Sequence, residues 1–261
     1  MLRFSANLST LFQQLPFRER FAAAAEAGFK AVETWFPYEI PAGELSAILR
    51  DNGLACVGIN SPAGDVANGD WGLALDTSRR PQFEQSVDTA MRYAEAIDCP
   101  NVHVMAGNRV AGVSEEQSMA DYSASIALAC DIARRHGRQV MVEALNVIDR
   151  PAYFLNRQDQ ALALIESLQV DNLGVMLDLF HVQRGEGNLV ERMRKSLPHA
   201  RHIQIADAPA RHEPGTGEIN FGFVFAELER LGYQGWIGCE YLPAGDTVAG
   251  LGWMHAVTSQ R

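Results

Sequence analysis

The chain is expected to fold as a single α/β domain, a (β/α)8 TIM barrel spanning residues 1–261, and three observations carry that expectation. One supersecondary phrase recurs: a helical stretch rich in Ala, Leu, Arg and Glu, a turn, then a short apolar run that finishes on polar residues. Counting the opening RFSANLS, it supplies eight candidate strands at about 33 residues per unit, in line with the roughly 250 residues of such a barrel. The rival doubly wound sheet usually shows a Gly-rich phosphate turn after its first strand, and FSANLSTLF contains no glycine.

The elements follow in order. RFSANLS leads to a helix over 17–27 with Phe17 and Phe21 on its core face, then Gly28 and the strand AVET, ending near Glu33. A helix over 44–51 and Gly53 precede ACVGIN, ending at Asn60. The stretch 60–81 is the longest irregular one; loops of that length are functional lids, disordered segments or variable surface, and this one leaves a strand end. A helix over 83–97, with Phe83 in the core, turns at Asp98-Cys99-Pro100 into NVHVMAG, and a helix over 115–136 passes Gly137 into QVMVEALN. Helices over 158–168, 189–196 and 223–231 then introduce LGVMLD, HIQIAD and WIGCEY. Gly just past a helix accepts the left-handed conformation that closes it. Val/Ile runs of this length suit buried parallel strands, and the helices supply the long crossovers such strands need. No Pro/Gly/Ser-rich linker divides the chain.

Charge and composition narrow the function. A hydrophobic fraction of 47% is ordinary for a globular core. There are 32 acidic against 22 basic side chains, a net charge of −10 with no basic cluster, which opposes binding to nucleic acid or an anionic membrane surface. No apolar run is long enough to span a bilayer, and MLRFSANLST turns polar too soon for a secretory signal. Cys56, Cys99, Cys130 and Cys239 are scattered without a CxxC pair, so neither a disulfide framework nor a thiolate zinc site is expected, and a reducing cytoplasm fits.

In a barrel of this kind, chemistry collects where the strands end, at the C-terminal mouth. The strand ends here read Asn7, Glu33, Asn60, His103, Glu143, Asp178, Gln204 and Glu240. Four of them interrupt apolar runs, in VMVEAL, VMLDLF, IQIAD and WIGCEY. A carboxylate among buried neighbours carries a heavy desolvation cost unless a cation or a donor offsets it. Any one of these acids reads equally well as a helix cap or an Arg partner. Three acids and an amide converging on one mouth are explained more economically by a bound divalent metal. Glu143, Asp178, the amide oxygen of Gln204 and Glu240 would give four hard oxygen donors and leave two places of an octahedron open, which suits Mg²⁺ or Mn²⁺ better than Zn²⁺. A substrate with adjacent carbonyl and hydroxyl oxygens would fill those places, the ion acting as a Lewis acid on an enediolate. Glu143 and Glu240, on opposite sides of that ring, suit general acid/base transfer. The reaction implied is proton abstraction next to a carbonyl, hence isomerisation or epimerisation.

Other residues support the mouth. His181, three positions past Asp178, is placed to donate to substrate or orient a ligand, with a surface loop histidine as the alternative. Arg211, in the loop after the Gln204 strand, offers a planar fork to a substrate carboxylate, or is a solvated loop charge. Asn7 and Asn60 are expected to point into the mouth, Asn7 as a substrate contact. Glu218 reads as a helix N-terminal charge or cap and His103 as a satisfied core residue; the role of Glu33, beside the wall-like Trp35 and Phe36, stays open.

With these residues in view, the chain resembles the hydroxypyruvate isomerase family within the xylose-isomerase-like barrels over essentially its whole length. The resemblance rests on RFSANLS, SPAGD at 61–65, VEALN at 142–146, LDLFHVQRGEGNL at 177–189, HIQIADAPARHEPGTGEIN at 202–220 and WIGCEY at 236–241. It implies an isomerase of small 2-oxo and aldehyde or 3-oxo hydroxy acids, with Glu143 and Glu240 as the paired catalytic acids and Asp178 and Gln204 completing the metal site. More distant epimerase relatives carry His where Gln204 stands, so this site stays all-oxygen and tight transition-metal binding is less expected. VHVMAG, VEAL, RHEP and GLGW look like the 2-oxo-tetronate isomerase group, which interconverts 2-oxo-tetronate and 3-oxo-tetronate. HIQIAD with PGTGEIN reads equally well as the group that converts hydroxypyruvate to tartronate semialdehyde.

Two other classes weigh less. Abasic-site endonucleases share a related barrel but use a multi-zinc cluster rich in histidine, against seven histidines, Gln204 and a charge of −10 here. A non-catalytic sugar-acid binding barrel has no need of a proton acceptor on each side. The expected partner is thus a small hydroxy-oxo acid, with no nucleic acid and no membrane; a homo-oligomer is compatible with the chain, though no contact patch in it specifies one.

Overall fold

Closure of the sheet decides where everything else lies. In the computed structural model, which describes residues 1–254, eight parallel strands follow one another in chain order round a closed barrel, the last pairing with the first. One half of the ring is β1 (Arg3–Asn7), β2 (Ala31–Thr34), β3 (Ala55–Asn60) and β4 (Asn101–His103). The other is β5 (Gln139–Val142), β6 (Leu173–Asp178), β7 (Ala200–Ile205) and β8 (Trp236–Cys239). Parallel strands are covered on both faces and so read as apolar runs; Ala6, Val32, Val140, Ile203 and Ile237 are wholly buried. The fold is a TIM barrel, as the sequence predicts.

The helices between strands are α1 (Phe17–Glu26), α2 (Ala42–Asp51), α3 (Arg80–Ala96), α4 (Glu115–Arg135) and α5 (Gln158–Leu168), with α8 (Phe221–Arg230) before the last strand. Two helices, α6 (Leu179–Gly185) and α7 (Leu189–Ser196), connect β6 to β7. The first of these was not expected from the sequence: it starts directly on the strand, with Asp178 Oδ1 accepting the Phe180 N–H at 2.8 Å as its N-cap. Helix α3 begins earlier than expected because Pro81 sits in its first turn, where the missing N–H costs nothing. Asn220, not Glu218, caps α8, accepting from the Phe223 N–H at 3.1 Å, while Glu218 accepts from Gln183 at 3.1 Å. Phe21 and Phe83 are buried and Phe17 is half-buried. All four cysteines are buried and free, and among the described residues no helix is long and apolar enough to cross a membrane.

The 60–81 stretch is pinned to the mouth. Arg79 brackets Asp70 with bonds of 2.9 and 2.7 Å, and Gly72 bridges to Ala106 beyond β4. Gly72 has a φ of +121°, and a Cβ there would stand 2.3 Å from the Met105 carbonyl oxygen. Gly72→Ala is therefore expected to lower the Tm by several degrees and open the loop to limited proteolysis. An unchanged Tm and digestion pattern would show the bridge to be dispensable.

Candidate active site

The ring brings together the four residues expected to hold a metal. Asp178 and Gln204 are register partners on β6 and β7, and Glu143 and Glu240 directly follow β5 and β8. All four are nearly dry, at 6%, 1%, 2% and 5% exposure for Glu143, Asp178, Gln204 and Glu240. Glu143 and Glu240 line a cleft of about 350 Å³, with Trp35, His103, His181 and Arg211 among its walls. Carboxylate oxygens of Glu143 and Asp178 and a ring nitrogen of His181 lie within 4.8 Å of one another.

Beneath this layer lies a second polar layer that the sequence did not reveal. Glu33 accepts from Asn7 at 2.9 Å, Gln204 at 2.7 Å and Ser5 at 3.3 Å, and pairs with the ring of His202. Burial by itself would push the Glu33 carboxyl up, but the charge and hydrogen bond of His202, with the bonds from Gln204 and Asn7, outweigh it and hold it below the usual range. Gln204 Nε2 also donates to Glu240 Oε2 at 2.6 Å. With its amide nitrogen between two carboxylates, Gln204 keeps Oε1 buried and without a partner. Glu33→Leu, which strips the acceptor from four buried donors, is expected to cost about 3–5 kcal/mol in urea unfolding; a loss under about 1 kcal/mol would show the layer to be energetically idle.

Like charges meet at the mouth. Burial, then the charges of Glu240 and Asp178, push the Glu143 carboxyl well above its ordinary range. Burial likewise raises Asp178 and carries Glu240 to about 8, Arg211 offsetting both in part. Arg211, in the left-handed region at φ 60°, reaches back to place Nη2 2.5 Å from Glu240 Oε1 and 3.2 Å from Asp178 Oδ2. Its loop is folded by Asp207, whose carboxylate gathers the N–H groups of Gly215, Gly217 and Ile219 at 2.8–3.0 Å.

Several expectations change. Arg211 is not a solvated charge: it lines the cleft, and its Nη2 joins two of the acids. Asn7, expected against substrate, instead lies under the cleft, its Nδ2 shared between Glu33 and Glu240 (2.7 Å) and its Oδ1 taken by the Ser9 N–H. It steers Glu240. His181 is buried, not a surface residue: Nδ1 accepts from the Asn146 N–H at 3.2 Å, which leaves Nε2 as the protonated nitrogen, 3.6 Å from Asp178 Oδ2. Burial, then the nearby arginines, hold its pKa well below the ordinary value, so the ring is a neutral donor. His103 is not a satisfied core residue: both its nitrogens lack hydrogen-bond partners, and Nδ1 stands 3.6 Å from Glu143 Oε2 at the cleft wall. Asn60 lines the cleft as expected, and Trp71 of the 60–81 loop joins it.

The donor set fits a hard divalent cation. Glu143 Oε1 and Gln204 Oε1 are buried oxygens with no hydrogen-bond partner, and the surrounding acids repel one another. Buried acceptors of that kind call for a partner; the grouping close enough to share a cation is Glu143, Asp178 and His181, two hard oxygens and one nitrogen, while Glu240 is turned to Arg211.

A closed parallel barrel with paired acids at its mouth defines the xylose isomerase-like TIM barrels, and the family model of that description matches residues 21–257. The chain belongs to this family, within its hydroxypyruvate isomerase and 2-oxo-tetronate isomerase branch, and is an isomerase. It is 43% identical to the 2-oxo-tetronate isomerase of Haemophilus influenzae over 98% of this chain and 99% of that protein. It is 41% identical to the hydroxypyruvate isomerase of Escherichia coli over 97% of this chain and 98% of that one. A crystal structure from Brucella melitensis, named AP endonuclease, family 2, matches at TM-score 0.95 and 41% identity, covering 98% of this chain and 99% of that one.

Proposed function

We propose that the chain interconverts 2-oxo-tetronate and 3-oxo-tetronate by proton transfer between the two carbons that bear the oxygens. The observation that carries this reading is the pair Glu143 and Glu240, both facing a single small cleft and both raised above the ordinary carboxyl range by burial. Such a shift suits carboxyls that must take and return a proton at working pH. One of the pair removes the C–H proton beside the carbonyl, giving an enediolate; the other delivers a proton to the adjacent carbon, and the hydroxyl proton moves between the two oxygens. Gln204, held by Glu33, and Asn7 fix Glu240 from below, while the neutral His181 can donate to a substrate oxygen. Glu143, Asp178, Gln204 and Glu240 would hold Mg²⁺ or Mn²⁺, which supplies Lewis-acid stabilisation of the negative oxygens.

The same chemistry one carbon shorter would convert hydroxypyruvate to tartronate semialdehyde. An NMR assay in deuterated water, with hydroxypyruvate and both 2-oxo-tetronate enantiomers, with and without Mg²⁺ or Mn²⁺, separates the two. Faster isomerisation of a four-carbon acid is expected; turnover of hydroxypyruvate alone would replace the substrate, and turnover of neither would overturn the reading. A nuclease reading finds little support at the site. The one grouping of potential metal-ligating His, Cys, Asp and Glu among the described residues holds a single histidine. Nicking of abasic DNA with added zinc would revive it.

A further inference from the structure

We propose that Arg150, stacked on Trp71, is the group that binds the substrate's carboxylate and so selects hydroxy-oxo acids over neutral sugars; this rests on the isomerase reading above. A small acid entering a cleft walled by Glu143 and Glu240 meets negative charge and needs a cation to offset it. Three arginines stand near enough to be considered. Arg211 is held by Asp178 and Glu240, and Arg184 donates to Asp149 at 3.0 Å. Arg150 lines the cleft, yet its guanidinium makes no hydrogen bond or ion pair among the described residues. The neighbouring Asp149 acts on it through charge but makes no bond to it, being held by Arg184 and by Asn146 Nδ2 at 2.9 Å.

What holds Arg150 is an aromatic face. Its Cζ lies 3.6 Å from the Trp71 ring centroid, a stacked cation–π contact. Stacking fixes the guanidinium plane while leaving its N–H edge for a planar anion, which is how arginine presents a bidentate fork. Arg150 and Arg211 also repel: after burial, the charge of Arg211 is the next largest influence lowering the Arg150 pKa. An anion bound beside Arg150 relieves that repulsion. Trp71 belongs to the loop pinned by Gly72, so the loop that borders the cleft also orients its free cation.

The test compares Arg150→Met, Arg150→Lys and Trp71→Ala with the wild type, using the four-carbon oxo acid as substrate and erythrulose, which has CH₂OH in place of the carboxylate, as a neutral competitor. Arg150→Met is expected to raise KM for the acid by about 10–100-fold with kcat within a few-fold, and to leave the inhibition constant of erythrulose unchanged. Arg150→Lys, which keeps charge but loses the fork, should fall between, and Trp71→Ala should raise KM less than Arg150→Met. An unchanged KM in Arg150→Met, or an equal weakening of acid and erythrulose, would overturn the assignment. Loss confined to kcat would overturn it too, by placing Arg150 in the chemistry. If the wild type itself isomerises no hydroxy-oxo acid, the functional reading falls and this assignment with it, an outcome visible before any variant is made. Circular dichroism and Tm of each variant identify losses that come from misfolding, and the lysine variant then serves as the folded comparison.

Discussion

Glu143→Gln and Glu240→Gln are each expected to lower isomerisation, and the incorporation of solvent deuterium into substrate, by at least about 10²–10⁴-fold, the usual worth of a positioned acid or base. Glutamine keeps the shape of the side chain and cannot accept the proton from carbon. Glu143 is buried and raised by the charges of Glu240 and Asp178, so Glu143→Gln relieves repulsion and the Tm of the metal-free protein should hold or rise. Glu240→Gln, by contrast, gives up the Arg211 pair and the acceptor of Asn7 and Gln204 and should lose some Tm. In Glu143→Gln the combination of a silent enzyme and undiminished stability separates chemistry from folding. Normal exchange in either variant would refute the acid/base assignment.

The second large effect is expected from chelation. Removing divalent ions should reduce activity by orders of magnitude, with recovery on addition of Mg²⁺ or Mn²⁺. The stability of the metal-free protein should also depend on pH in a definite direction. Glu240 has a folded pKa of about 8 against an ordinary value of 4.5, and Glu143 is shifted the same way. Between those values the unfolded chain ionises while the folded one keeps its protons, so stability falls as pH rises from about 4.5 to about 8. A bound cation favours the ionised carboxylates, so the gap in Tm between loaded and chelated protein should widen over the same interval. Full activity after exhaustive chelation would remove the metal from the proposal. A Tm in chelator that climbs from about pH 5 to about pH 8 would contradict the carboxyl assignments.

The barrel was legible because each strand is an apolar run that stops on a polar residue, and because glycines mark several of the helix ends. Helix α6 escaped notice for the opposite reason: it follows β6 with no turn, and the residue that caps it is the strand's own last one. At the site, Glu143, Asp178, Gln204 and Glu240 stood out as polar breaks in hydrophobic segments, a signal carried by one strand at a time. The Glu33–His202 pair had no such signal. It joins β2 to β7 across the barrel, and only closure of the ring makes the two neighbours. His202 in HIQIAD is a polar break like Gln204, and it is the one mark the lower polar layer leaves in that strand. The bonds from Arg211 to Asp178 and Glu240 carry no sequence signal, since a left-handed backbone that folds a loop back over the mouth leaves no mark in residue spacing. Arg150, ahead of Pro151 in an ordinary connecting segment, had nothing to distinguish it until Trp71 was seen against it.

The start of α6 limits what Asp178 can give. One of its oxygens is tied to the Phe180 N–H, and the other meets Arg211 Nη2 at 3.2 Å, so both are engaged before any ligand arrives. A Glu at this position would carry its carboxylate away from the Phe180 N–H, so the exchange would cost the cap of α6.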